Sequence, residues 1–150
     1  MSLETNIMEQ MKAAMKEKNT VALEALRAIK SELLLAKTSG ENLGELTEQD
    51  EITLLQKLVK QRKEAAEQFR VNNRPELEEK ELKQAEVIQA FLPAQLSEEE
   101  LVSALEVIVA EVGATSPKDM GKVMGVASKQ LAGKADGKTI SEQVKKILSA

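Results

Sequence analysis

Residues 116–131 read Ser116-Pro117-Lys118-Asp119-Met120-Gly121-Lys122-Val123-Met124-Gly125-Val126-Ala127-Ser128-Lys129-Gln130-Leu131, and two periodicities run through them. A capping hydroxyl, a proline at the first helical position and an acid in the first turn make residues 116–119 a helix start. Met120, Val123, Met124, Ala127 and Leu131 then recur every three or four residues, the spacing of one helical face. Lys118, Lys122, Gly125 and Lys129 step by four, three and four and fall on another face. An apolar stripe needs a core to cover it. The segment therefore predicts a helix packed on neighbours, with a lysine face turned away.

The helical period extends in both directions. Upstream, Ser97-Glu98-Glu99-Glu100 is a capping box opening a helix that stops at Gly113. Downstream, Thr139 with Glu142 is expected to cap a last helix carrying Ile140, Val144, Ile147 and Leu148. Towards the N-terminus, Leu3, Ile7, Met11, Ala14 and Met15 make one stripe. After a break near Asn19-Thr20, Leu23, Leu26, Ile29 and Leu33 make a second, ended by Thr38-Ser39-Gly40. Thr47 with Asp50 predicts the cap of a long helix through Ile52, Leu55, Val59, Ala66 and Phe69, closed at Asn72-Asn73-Arg74-Pro75. A fourth helix is expected from about Glu76 to Phe91, stopped by Leu92-Pro93 because a residue before proline is pushed out of the helical region. Three prolines and seven glycines are sparse punctuation for 150 residues. The fold class is all-α: a four-helix part over residues 1–94 and a small three-helix part over residues 95–150.

Composition removes whole classes of chemistry. With no His and no Cys, Ser-His-Asp and Cys-His mechanisms and Cys or His metal sites are excluded. Phe69 and Phe91 are the only aromatic residues, too few for a base-stacking platform. No EF-hand spacing is present, and Ser97 and Ser116 are explained by capping. We expect no catalytic residue, no metal and no cofactor. The N-terminal stretch Met1-Ser2-Leu3-Glu4-Thr5-Asn6 lacks the basic start and apolar core of a signal peptide, and the apolar runs are short. The expectation is a cytoplasmic chain with no membrane segment.

The net charge of −4 argues against a general nucleic-acid binder, but the charge is unevenly placed. From Gln95 to Val112, five glutamates and no base give −5; from Gly113 to Ala150, seven lysines against three acids give +4. Lys118, Lys122, Lys129, Lys134 and Lys138 are the candidate phosphate contacts of this basic helix pair. Gly121 and Gly125 sit among them, at a cost of about 1 kcal/mol each in a helix interior, which implies that something approaches the backbone closely. That partner is another helix or a phosphate backbone. The loop Gly133-Lys134-Ala135-Asp136-Gly137-Lys138-Thr139 looks like a P-loop, but it has three residues where four belong, and a helix precedes it instead of a strand. It reads instead as a helix–helix turn relaxed by Gly133 and Gly137, with outward amides beside Lys134 and Lys138. A second basic cluster, Lys57, Lys60, Arg62 and Lys63, is either a salt-laced surface paired with Glu64 and Glu67 or a further contact for an extended polyanion.

The segments Phe91–Leu101 (Phe-Leu-Pro-Ala-Gln-Leu-Ser-Glu-Glu-Glu-Leu), Ser116–Met124 and Lys134–Gly137, with Leu58-Val59-Lys60-Gln61-Arg62 upstream, resemble the YqeY family of small GatB/YqeY-domain proteins. The likeness runs over essentially the whole chain in the same order. The family is similar to the C-terminal region of the B subunit of tRNA-dependent amidotransferases. There, a helical domain and a small tail help hold the tRNA, while catalysis belongs to another domain and another subunit. Pro117, Lys118, Met120, Gly121, Val123, Met124, Lys134, Asp136 and Gly137 match the tail motif. The resemblance implies the tail without the catalyst, so a label such as carbon–nitrogen ligase with glutamine as amido-N-donor marks ancestry. The expectation is a non-catalytic module binding the tRNA backbone, without DNA sequence specificity. Its rivals are an adaptor docking on an aminoacyl-tRNA synthetase or amidotransferase subunit and, more remotely, an accessory of a glutamine-dependent ligase.

Overall fold

The computed structural model describes residues 2–39 and 45–149, and they are all-α with no strand. They divide into two compact units, Met1–Leu92 and Pro93–Ala150. In the first unit, helices α1 (Leu3–Lys16), α2 (Thr20–Ser39), α3 (Glu48–Val71) and α4 (Pro75–Gln89) follow one another. Ser2 caps α1 by accepting from the Thr5 amide, and Asn19 caps α2 by accepting from the Ala22 amide. Gly40, expected at the end of α2, lies outside the described residues. Thr47 and Asp50 form a reciprocal capping box at α3, each side chain accepting from the other's amide at 3.1 and 3.0 Å. Pro75 does more than end α3, because it occupies the first turn of α4, where its missing N–H costs nothing. Ile7, Leu26, Ile29, Leu55, Leu58 and Ile88 form the centre of this unit's core.

The second unit holds α5 (Glu98–Val112), a short 3-10 turn at Pro117–Asp119, α6 (Met120–Gln130) and α7 (Gly137–Ser149). The Ser97/Glu100 capping box starts α5, and Gly113 ends it at φ +75°, a left-handed conformation that a side chain would strain. Each helix sends one apolar stripe inward: Leu101, Leu105 and Ile108 from α5, Val123 and Ala127 with Leu131 from α6, and Ile140, Val144 and Leu148 from α7. Fully burying such a side chain is worth about 1.5–3 kcal/mol. In a unit this small, those contacts carry most of the stability.

Two starts differ from the sequence expectation. Ser116 makes no side-chain cap; the carboxylate of Asp119 accepts from the Thr115 amide at 3.0 Å instead and closes the turn that leads into α6. Thr139 does not cap α7 either. Asp136 does so, accepting from the Thr139 amide at 2.7 Å, so that α7 begins at Gly137. Both residues are good caps by type. The preceding chain decides between them: the Leu96 amide donates to the Lys134 carbonyl at 3.0 Å, and the Gln95 side chain donates to the Gly133 carbonyl, which ties the loop down before Asp136.

This predicts a contrast in thermal or urea unfolding. Asp136→Ala should destabilise the second unit by about 1 kcal/mol, the usual loss for a cap. Thr139→Ala should stay within about 0.5 kcal/mol, and the reverse order would place the cap at Thr139.

Candidate nucleic-acid interface

Burial of Val123, Ala127 and Leu131 fixes the rotation of α6, and at 100° per residue Gly121, Lys122, Gly125, Ser128 and Lys129 fall together within about a third of the opposite circumference. All five are exposed, as is Lys118 in the 3-10 turn just ahead. A Cβ built at Gly121 or Gly125 meets nothing within 4 Å. Among the described residues, therefore, no helix takes advantage of these glycines, and the close approach read from the sequence is not an internal packing contact.

Lys134 and Lys138 are exposed but placed differently. Lys134 borders a groove of about 410 Å³, together with Lys146 and the acids Glu98, Asp136 and Glu142. Lys138 sits in the first turn of α7, on the same outer flank as Lys145. The expected anion-holding turn is occupied from within, because the Asp136 carboxylate already accepts from the Thr139 amide at the start of α7. Gly133 adopts φ +76° in the turn after α6, whereas Gly137 begins α7 with nothing within 4 Å of a Cβ built there. The structure thus sets Lys122 and Lys129 on one face of α6, keeps Lys118 exposed in the turn just ahead, and leaves Lys134 in a groove of mixed charge.

Pairing differs in degree between the two basic regions. Six ion pairs occur among the described residues, Glu4–Lys37, Lys60–Glu64, Arg62–Glu81, Arg70–Glu67, Lys80–Glu24 and Lys83–Glu79, and all lie in the first unit. No lysine of residues 93–150 is in an ion pair among the described residues. Of the second cluster, Lys57, Lys60 and Lys63 are exposed, with Lys60 beside Glu64 at 4.0 Å. Arg62 is turned inward: its Nε donates to Gln84 Oε1 at 3.0 Å and lies 3.8 Å from Glu81. Gln84 is 6% exposed and donates onward to Glu24 at 2.8 Å, so Arg62 serves a polar chain across α2, α3 and α4. Glu67 pairs with Arg70 rather than with Lys63, and that guanidinium holds its carboxyl below the usual range.

The Asp119 carboxyl is likewise held below its ordinary value of 3.8, first by the Thr115 amide, then by the Ser116 amide and the charge of Lys122. A lowered folded-state pKa means that this contact stabilises fully above the ordinary value and is lost as pH falls through the lower one. At neutral pH the turn carrying Lys118 is therefore held closed. No group of three or more acids that could hold a metal occurs among the described residues, and no described helix is long and apolar enough to cross a membrane.

The family model described as Yqey-like protein matches residues 4–148, and the chain belongs to the YqeY family. It is 33% identical to "Altered inheritance of mitochondria protein 41, mitochondrial" of Pyrenophora tritici-repentis, over 93% of this chain and 77% of that protein. It is also 32% identical to an uncharacterized protein of Schizosaccharomyces pombe, over 64% of this chain and 76% of that one.

The open space at Gly121 and Gly125 makes a direct prediction. Gly121→Ala and Gly125→Ala should each raise the unfolding midpoint, by up to about 1 kcal/mol of stability, since a helix interior prefers alanine and no neighbour resists the methyl. A loss of stability would show that the fold itself needs the bare backbone.

Proposed function

We propose that this protein is a non-catalytic RNA-binding module, with tRNA as its ligand, that holds the phosphate backbone on the outer face of α6. The observation carrying this is the contrast in pairing: six of the fourteen Lys and Arg residues of the first unit are in ion pairs, while none of the seven lysines of the second is in one among the described residues, and Lys118, Lys122 and Lys129 are all exposed. A surface ion pair is worth little to stability, so leaving these lysines unpaired costs the fold almost nothing and keeps them available to a polyanion. Lys138 and Lys134 contribute from α7 and its preceding loop as secondary contacts. The glutamates of α5 make the unit one-sided, because a polyanion drawn to α6 is repelled from the −5 segment of residues 95–112. The likeness to the tail of amidotransferase B subunits supports tRNA as the ligand. The name of the Pyrenophora relative places that protein in mitochondria, so the compartment required here is any that contains tRNA, cytoplasm or mitochondrial matrix.

The test is the triple charge reversal Lys118→Glu/Lys122→Glu/Lys129→Glu. All three side chains are exposed, so helicity and unfolding midpoint should stay close to wild type. Affinity for tRNA should fall on the order of a hundredfold or more at moderate salt. Unchanged tRNA affinity would overturn the proposal. A partner protein that stays bound after nuclease treatment, and is lost in the triple variant, would replace it with docking on a synthetase or amidotransferase subunit.

A further inference from the structure

We propose that the α6 face takes base-paired RNA and discriminates against both single strands and duplex DNA, an inference that rests on the RNA-binding reading above. Single-strand recognition works through stacking of bases on aromatic rings, and residues 93–150 contain no Phe, Tyr or Trp. Charge and hydrogen bonding are left to hold the ligand. Lys122 and Lys129 are seven residues apart on one rigid helix, about 10 Å along its axis, with Lys118 one turn further on. A fixed array of cations favours a fixed array of phosphates. A flexible strand must be ordered to match it, whereas a duplex arrives already ordered.

Groove dimensions then select among duplexes. With its side chains an α-helix is about 10–12 Å across, wider than the roughly 6 Å minor groove of B-form DNA. The minor groove of A-form RNA is wide and shallow and displays the 2′-hydroxyls. Between the lysines, α6 presents the bare backbone of Gly121 and Gly125 and the exposed hydroxyl of Ser128, a low surface with a group able to donate to and accept from a 2′-hydroxyl. The face made by Gly121, Lys122, Gly125, Ser128 and Lys129 carries no long polar side chain, other than the lysines, with which to read base edges in a DNA major groove; the exposed Gln130 lies off that face.

The experiment compares fluorescein-labelled probes by anisotropy at one salt concentration: an RNA hairpin stem, an oligouridine strand of equal length, and a DNA hairpin of the same sequence as the RNA. The full-length protein should bind the RNA stem at least about tenfold more tightly than either of the others. Gly125→Leu raises the low surface on an exposed face where a Cβ meets nothing within 4 Å, so it should fold, weaken stem binding about tenfold and leave the oligouridine affinity within about twofold. Equal or tighter binding of oligouridine or the DNA hairpin, or a Gly125→Leu variant that binds the stem like wild type, would overturn this inference while leaving RNA binding intact. No binding to any RNA at low salt would overturn both.

Discussion

Everything on the outside of α6 depends on what its inside buries. Val123 and Ala127 are fully enclosed in the core shared with Leu105 and Val144, and this allows only one rotation of the helix about its axis. Because the helical repeat is 3.6 residues, the same rotation sets Lys122, Gly125, Ser128 and Lys129 on the opposite side. The lysine face is therefore as well determined as the core, although none of its residues is buried. Its turn is set at one end by the Asp119 carboxylate on the Thr115 amide and at the other by the left-handed Gly133.

Charge in the second unit is sorted, not paired. Ion pairs on an exposed surface add little stability, so neither arrangement is strongly favoured by folding, and the two units differ in which they adopt. The first unit pairs six of its fourteen cations, within and between helices, and buries Gln84 between Arg62 and Glu24, a contact that aligns α3 and α2 through α4. The second places glutamates along α5 and lysines along α6 and α7. Such a distribution leaves a field of opposite sign on opposite elements, which steers a charged partner to one side.

Much of this was legible in local spacing. The Ser97/Glu100 box, the glycine stop at 113 and both faces of α6 follow from patterns three, four and seven residues long, which the helix imposes directly. Features that depend on distant chain were not. Arg62 looked like a member of a basic cluster because its spacing to Lys60 and Lys63 is local, while its partners, Gln84 and Glu81, come from another helix. Asp136 and Thr139 are equally good caps by residue type, and the choice was settled by Leu96 and Gln95 holding the loop some 38 residues away in sequence. Nor could spacing tell whether Gly121 and Gly125 meet a neighbouring helix or open space, since that depends on where α5 and α7 lie. The aromatic poverty of the chain, by contrast, is a property of composition and already restricted how any nucleic acid could be held.

The central claim is that unpaired lysines of the second unit hold tRNA through its phosphates. Its most direct measurement is the binding of total tRNA to the wild-type protein by fluorescence anisotropy across a series of salt concentrations. Three to five phosphate contacts predict saturable binding whose log–log dependence on salt has a slope of roughly −2 to −4.5. Absence of binding at low salt, or an affinity indifferent to salt, would contradict it.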